Sequence, residues 1–299
     1  MEKKPISFNK FYKFFNILSI SLIIISISLL LFKGLNYGVD FKGGTLIELR
    51  ASDNQITISK LRQSLMNIKL GDVSVKQFGN KNDYLIKFEK KDKDNPTFIH
   101  DIKENLTKSL PSSFEFRRVE NVGPKVSAEL LKSGILAIAL SLAAMLLYIW
   151  IRFEWQFSLG AILALFHDVI ITLGVFSLFN LEINLSIVAA VLTIVGYSMN
   201  DTVVIFDRVR ENLKKFSDIK IFELTNISIN ETLSRTIITS VTTLLALLSI
   251  YFFGGEILKG FSFAMIIGVI VGTYSSIFVA APVLKYTKVT QKTVLKEEN

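Results

Sequence analysis

The stretch Val191-Leu-Thr-Ile-Val-Gly-Tyr-Ser-Met-Asn-Asp-Thr-Val-Val-Ile-Phe206 places one acidic residue, Asp201, inside a mostly apolar run. Together with the apolar residues before it, this run is long enough to cross a bilayer as a helix. A carboxylate near the middle of a bilayer costs on the order of 2.5–3.5 kcal/mol on insertion scales, so an acidic residue at such a depth usually has a function. Asp201 is therefore the first candidate for a functional residue.

Five further apolar runs occur along the 299-residue chain, half of whose residues are hydrophobic. Lysines precede the first run, as in a signal peptide, but this run is longer than a signal core of about 7–15 residues and no cleavage pattern follows it. We therefore interpret it as an uncleaved span. We predict an α-helical membrane protein with six transmembrane helices, near Phe14–Phe32, Ser133–Ile151, Phe157–Phe179, Leu185–Phe206, Thr236–Phe253 and Phe261–Val283.

Basic residues concentrate on one side of these predicted helices. They lie within residues 3–13, at Arg152, within 208–220 and within 285–296, whereas the short turns on the other side are poor in positive charge. The positive-inside rule then predicts that both termini are cytoplasmic. Topology accounts for the net charge of +8, so we expect no nucleic-acid partner.

This topology divides the chain into four parts. We expect a cytoplasmic N-terminus with the first helix at 1–33, an external (periplasmic) domain at 34–130, helices two to six at 131–285, and a cytoplasmic tail at 286–299. A cytoplasmic loop at 207–233 joins the fourth helix to the fifth.

The external segment carries the pattern of a small α+β domain. Alternation of apolar and polar residues predicts four strands, containing Thr45–Arg50, Val73–Val75, Tyr84–Glu89 and Phe114–Glu120. Helical spacing predicts one helix from Ile58 to Ile68 and another from Ile99 to Leu110. The order β-α-β-β-α-β predicts a ferredoxin-like domain, a fold that many functions share. We interpret His100, on the second of these helices, as a surface residue.

Asp201 has a candidate partner in Arg235, which begins the fifth predicted helix. The two residues lie at similar depths on helices joined by one loop, so packing of these helices would let the charges pair. Asn200 and Thr239 add polar groups beside them. This set favours a proton- or ion-coupling site, because a carboxylate whose partner approaches and withdraws would bind and release a proton. A structural ion pair, and for Arg235 a side chain that snorkels to the interface, remain open.

His167 and Asp168 form a second polar pair, near the middle of the third predicted helix. Adjacent residues point about 100° apart on a helix, so we do not expect them to form one compact site by themselves. The histidine could titrate near neutral pH. We favour the simpler interpretation, in which both residues hydrogen-bond to neighbouring helices or to a partner subunit.

Two weaker patterns concern packing and the cytoplasmic face. Gly268 and Gly272 form a Gly-x-x-x-Gly motif, which permits close approach of helices and which we interpret as packing. The charged stretch Asp207–Lys220 with the apolar residues after it predicts an interfacial helix, with a solvated loop as the alternative for its first half.

The sequence contains no pattern that predicts an enzyme. No Walker-type phosphate-binding motif occurs, so ATP hydrolysis is not expected. Cysteine is absent, and the external segment has one histidine without a nucleophile–base arrangement. We therefore expect neither a catalytic residue nor a cofactor or metal.

A set of short stretches occurs along the chain in a fixed order: Tyr37–Thr45, Val122–Leu130, Arg152–Trp155, His167–Gly174, Gly196–Arg208, Arg210–Asn212, Thr232–Ser240, Phe253–Gly255 and Gly260–Ser262. Taken together, these stretches closely resemble the SecF subunits of the SecD/SecF family of protein-export membrane proteins. Any one of them alone is a weak signal, but the ordered set is specific and runs along nearly the whole chain. Ser127 departs from the family, which often has glycine there, but the adjacent Gly123-Pro124 is kept.

The resemblance implies a fold and a function beyond what the residues show. The family belongs to the resistance-nodulation-division superfamily, in which two six-helix halves pack around a pseudo-two-fold axis. It implies SecD as the other half of a heterodimer, the SecYEG translocon, YajC and YidC as further partners, and an unfolded preprotein as the cargo. The expected activity is preprotein export driven by the proton-motive force. Asp201 and Arg235 match the family's proposed proton pathway, and Thr239 lies beside them.

Two other function classes remain open at this stage. A scaffold would stabilise a larger translocase without carrying protons, and it should tolerate Asp201→Asn. A transporter of small molecules or lipids would need a sizeable substrate cavity, for which six helices and one small external domain provide little space.

Overall fold

The computed structural model describes residues 5–53, 56–66, 73–77, 80–88, 98–110, 112–216 and 219–295. The chain divides into two compact units, one formed by Tyr37–Ile135 and the other by Met1–Asn36 together with Leu136–Asn299. Each unit has its own hydrophobic core.

Long apolar helices build the second unit, as the runs in the sequence predict. Six of the described helices are long and apolar enough to cross a membrane. They contain the six predicted spans except for Phe179, which lies one residue past the third helix: Phe8–Phe32, Pro124–Arg152, Trp155–Leu178, Leu185–Lys215, Ile221–Phe253 and Leu258–Tyr286. The predicted fold class is confirmed. The helices are α1 (Tyr12–Phe32), α5 (Pro124–Arg152), α6 (Trp155–Leu178), α7 (Leu185–Lys215), α8 (Ile221–Phe253), α9 (Glu256–Ser275), α10 (Ala281–Tyr286) and α11 (Gln291–Leu295), with a 3-10 turn at Phe8–Phe11 and a π-helical turn at Ser276–Ala280 between α9 and α10.

Helices α6, α7 and α9 form the centre of this unit, with α1 packed on α6 and α8 packed on α7 and α9. Small residues permit the closest approaches. A Cβ at Gly268 of α9 would lie 2.4 Å from Ile194 of α7, and one at Gly272 would lie 3.0 Å from the Cβ of Ser198. The packing role predicted for this glycine pair is thus confirmed.

The connection between α7 and α8 is shorter than the expected loop at 207–233. Helix α7 continues to Lys215 and α8 already begins at Ile221, so the described part of the connection is short. Pairs of charges one turn apart support the extension of α7, because Glu211 accepts from both Arg208 and Lys215. The charged residues that suggested an interfacial helix or a loop instead lie near the adjoining ends of two long helices.

The unit Tyr37–Ile135 contains a four-stranded antiparallel sheet in the order β3-β4-β2-β5. The predicted β-α-β-β-α-β order is confirmed, although Ile68 lies outside the described residues and His100 is exposed as expected. Alternate residues of the strands and one face of each helix fill its core. Its elements are β2 (Gly44–Ala51), α3 (Ile58–Met66), β3 (Val73–Gln77), β4 (Asp83–Phe88), α4 (Phe98–Ser109) and β5 (Phe114–Val122), preceded by α2 (Val39–Lys42). Outside this four-stranded sheet, the structure has two two-residue strands, β1 (Asn36–Tyr37) and β6 (Glu182–Ile183).

Candidate intramembrane site

Asp201 lies in the interior of the helical unit, on the face of α7 that meets its neighbours. Its side chain is buried, and its Oδ2 atom has no hydrogen-bond partner. Thr273 of α9 is a hydrogen-bond partner of the carboxylate, and the positive charge of Arg235 on α8 acts on it. A buried carboxylate with one unsatisfied oxygen can accept a proton or a further donor.

A hydroxyl pair continues from Asp201 toward α8. Ser240 of α8 and Thr273 of α9 are joined by a hydrogen bond of 2.7 Å between their hydroxyl oxygens. The Thr273 hydroxyl also lies 2.8 Å from the carbonyl oxygen of Val269, so it can donate either to that carbonyl or to Asp201 while accepting from Ser240. Neither residue was among those that the sequence singled out. The signal was present in the polar run Thr273-Tyr-Ser-Ser276 within the last apolar span.

The structure places the other site residues proposed from the sequence at or near the surface of the helical unit. Arg235 is exposed and does not form an ion pair with Asp201 within 4 Å. Thr239 is half-buried, and its hydroxyl donates to carbonyl oxygens of its own helix, those of Arg235 and Thr236, at 3.0 Å. Asn200 is exposed. The structure therefore places Asp201 inside the unit, with Arg235 on the surface of the adjacent helix.

His167 and Asp168 form one compact site, contrary to the expectation from their adjacency in the sequence. His167 Nδ1 and Asp168 Oδ1 are 2.8 Å apart, and both side chains are fully buried. Asp168 Oδ2 accepts from Ser198 of α7 and from Ser275 of α9, the latter at 2.8 Å. Hydrogen bonds to neighbouring helices were expected and are present. The mutual bond was missed because side-chain torsions bring together two groups that diverge at the backbone.

Tyr274 links this second site to α1. Its ring lies over the imidazole of His167, with centroids 5.9 Å apart and planes inclined by 26°. Its hydroxyl oxygen is 2.7 Å from Ser19 Oγ and 2.8 Å from the Phe15 carbonyl oxygen. The four elements α1, α6, α7 and α9 thus share a buried polar centre.

Helices α7 and α9 contribute residues to both polar sites. On α7, Ser198 precedes Asp201 by three residues, and on α9, Thr273 and Ser275 are two residues apart. The Asp168 carboxylate joins α7 to α9 through its two serine donors. The rotation of α7 that sets the position of Asp201 is therefore fixed by a hydrogen bond one helical turn away.

Charged residues near the ends of α5 and α7 form ion pairs with neighbouring segments. Arg152 at the end of α5 pairs with Asp207 of α7 at 2.9 Å, and Arg210 of α7 pairs with Glu154 at 3.1 Å. Toward α8, Arg208 pairs with Glu231 at 2.7 Å. The described residues contain no cluster of three or more His, Asp or Glu side chains that could hold a metal ion.

Two family models match the chain. The model for the C-terminal part of the protein export membrane protein SecD/SecF matches residues 102–290, and the model for the SecD/SecF GG motif matches residues 28–55. The chain belongs to the SecF branch of the SecD/SecF family. Within the GG motif, Gly43 and Gly44 have φ of 79° and 127°, a backbone region that favours glycine.

Curated relatives and solved structures agree with this family. A protein translocase subunit SecF of Rickettsia bellii (strain OSU 85-389) is 50% identical over 250 residues, covering 83% of this chain and 82% of its own. The SecF of Rickettsia prowazekii (strain Madrid E) is 48% identical over 275 residues, covering 91% and 86%. As the family implies, the chain is a multi-pass membrane protein.

The crystal structure of SecDF, a translocon-associated membrane protein from Thermus thermophilus, superposes with a TM-score of 0.85 at 35% identity. The match covers 96% of this chain and 39% of the SecDF chain. A second structure, of SecDF in its super-membrane-facing form, gives a TM-score of 0.71 at 33% identity.

Proposed function

We propose that this SecF-family chain uses the proton-motive force, together with SecD, to promote preprotein export through the Sec translocase. The observation that carries the proposal is Asp201, a buried carboxylate with one unsatisfied oxygen inside a membrane-spanning helix. An acidic residue within a membrane segment is by default a functional group that carries protons or ions.

The proposed cycle uses the proton on Asp201 to change the force between two helices. When Asp201 is ionised, it attracts the guanidinium of Arg235, which draws α8 toward α7. Once Asp201 takes up a proton, this attraction disappears and α8 is released. One charge that crosses about 100 mV supplies about 2.3 kcal/mol, enough to bias two states of a helical bundle.

Asn200 and Thr239 belong to the proposed pathway through their position. Thr239 follows Arg235 by one turn, and Asn200 is exposed next to Asp201 on α7. With SecD present, these polar groups would line a hydrated track between the halves instead of facing lipid.

SecD is the proposed partner because the matching SecDF chain is more than twice as long as this one. Exposed Arg235 supports this assignment, since an arginine that faced lipid at this depth would be costly. Family resemblance adds SecYEG, YajC, YidC and the preprotein as proposed partners. The proposed location is the cytoplasmic (inner) membrane, with both termini cytoplasmic and residues 34–130 periplasmic.

Export of a secreted reporter tests the proposal in cells whose only copy of this protein carries Asp201→Asn. The change keeps the shape of the side chain but removes the titrating group, so export should fall to the level of a deletion strain. Asp207→Asn provides a matched control, because it makes the same change on an exposed side chain of the same helix.

Protein level and co-purification with SecD must be measured in both strains. Normal export by an assembled Asp201→Asn complex would overturn the proton role, and the chain would then be a structural subunit. None of the described features requires an enzymatic activity, and the relatives are named as translocase subunits.

A further inference from the structure

The His167–Asp168 pair contains a buried nitrogen that the proposed cycle of Asp201 does not use. His167 is 1% exposed, and its Nε2 atom has no hydrogen-bond partner. Buried polar atoms are nearly always paired, so an isolated one at the centre of four packed elements indicates a missing ligand or a function.

The contacts of Asp168 favour one of the two neutral tautomers of His167. Oδ2 accepts from two serine hydroxyls, and Oδ1 faces His167 Nδ1 at 2.8 Å. Two serine donors stabilise the ionised form of the Asp168 carboxylate, and opposite an ionised carboxylate Nδ1 is the protonated ring nitrogen. The same geometry holds the histidine tautomer in other buried aspartate–histidine pairs. Nε2 is then left with a free lone pair.

The surroundings of Nε2 suit a positive charge. The electron-rich face of Tyr274 lies against the imidazole, with its hydroxyl held by α1. Asp168 supplies the compensating negative charge at the opposite nitrogen. Around the His167–Asp168 pair, α9 contributes Tyr274 and Ser275, and α7 contributes Ser198. Helix α1 contributes Ser19, which contacts the pair through Tyr274.

We infer that His167 is a second proton-binding residue of the membrane bundle, with Asp168 as the residue that positions it. One proton adds to Nε2 and converts the imidazole to an imidazolium paired with the Asp168 carboxylate, and no bond between heavy atoms forms or breaks. The inference deepens the proposed proton-coupled function and rests on it for its purpose, although proton binding itself can be measured separately. Because Ser198 and Asp201 lie one turn apart on α7, a proton at His167 would act on the helix that carries Asp201.

Nitrogen-15 NMR of histidine-labelled chain gives a direct test, since the sequence contains two histidines. His100→Gln removes the exposed one and leaves His167 as the only labelled ring. The full-length labelled chain is reconstituted in liposomes with unlabelled SecD, and spectra are recorded from about pH 9 to about pH 4. We expect the Nδ1-protonated neutral tautomer at high pH and reversible addition of a proton to Nε2 as the pH falls. A single protonation state throughout, or the Nε2-protonated tautomer at high pH, would overturn the inference.

Two variants separate this inference from the proposed role of Asp201. In Ser275→Ala, the pair loses one donor to Asp168, so the tautomer should become mixed; an unchanged tautomer would contradict the positioning role of Asp168. In Asp201→Asn, His167 should still titrate. If His167 titrates while export is normal, only the Asp201 proposal fails; if His167 does not titrate while Asp201→Asn blocks export, only this inference fails.

Discussion

At the scale of single residues, a buried charge is stable only where donors or an opposite charge surround it. Asp168 has three hydrogen-bond partners, whereas Asp201 has Thr273 and an oxygen without a partner. A satisfied carboxylate rigidifies its neighbours, and an unsatisfied one retains the capacity to bind a proton. The contrast between these two aspartates, thirty-three positions apart on neighbouring helices, separates a structural role from the proposed proton-carrying role.

The α+β domain offers a residue-scale prediction with a pH dependence. Arg50 and Asp83 lie directly opposite each other on β2 and β4, and Arg50 Nε is 2.5 Å from Asp83 Oδ1. The hydrogen bond and charge of Arg50 hold the pKa of Asp83 below its ordinary value. Because the folded pKa is depressed, the pair contributes stability above the unfolded value of about 3.9 and loses it as the pH falls through the folded value.

We expect Asp83→Asn to lower the free energy of unfolding of this domain by about 1 kcal/mol at neutral pH, a modest effect because Arg50 is 34% exposed to screening solvent. Urea denaturation of a fragment spanning Tyr37–Gly123 measures it. The difference from wild type should shrink as the pH falls below about 4. Glu104→Gln, in the exposed pair with Lys108, is the control and should change little. A difference that grows in acid would contradict the sign.

At the scale of elements, the close contact between α7 and α9 depends on glycines, which have no side chain. We expect Gly268→Ala to destabilise the helical unit by roughly 1–3 kcal/mol, because its Cβ would lie 2.4 Å from Ile194 and the helices would have to separate. Thermal unfolding of the purified chain in detergent measures the change. Gly196→Ala is the matched control, since the nearest atom to its Cβ would be 4.0 Å away. Equal stability of the two variants would exclude tight packing at Gly268.

Helix α8 supports a second element-scale prediction, about the partner. Thr242 and Ser249 follow Arg235 at helical spacing, and all three are exposed. Small polar residues on an exposed membrane helix favour contact with another helix over contact with lipid. The proposed SecD half should therefore cover this face.

Crosslinking measures this contact without background, because the chain contains no cysteine. Thr242→Cys should form disulfides with cysteines placed in the SecD membrane helices. Ile24→Cys, on an exposed face of α1, should form fewer. Comparable crosslinking from the two positions would argue against α8 as the interface.

At the scale of the whole molecule, the burial patterns of the two units suit two different solvents. In the α+β unit, alternate strand residues and helix faces are buried, as expected where water surrounds a domain. The helical unit leaves large apolar side chains exposed along α1, α5 and α8, as expected where lipid or partner helices surround it. One chain therefore carries a domain packed for water and a helical bundle packed for a membrane.

Local patterns in the sequence were enough to predict much of this architecture. Hydrophobic runs long enough to span a bilayer determined the six helices, and alternation with period two or 3.6 determined the order of the α+β elements. Asp201 stood out because an acidic residue inside an apolar run can be recognised from the sequence of a single helix. The family motifs were equally local, since each occupies a short stretch of chain.

Contacts between helices were decided by the tertiary structure alone. Nothing local indicates that Ser198, Ser275 and His167 converge on Asp168, or that Thr273 is the hydrogen-bond partner of Asp201. These contacts depend on how far each helix is rotated about its axis, and that rotation follows from the packing of all the helices together. For the same reason, the charged residues near Asp207 suggested a loop, whereas pairing across α7 and α8 keeps them helical. Hydropathy and periodicity act within one segment, but the geometry of a proton-binding site depends on several segments at once.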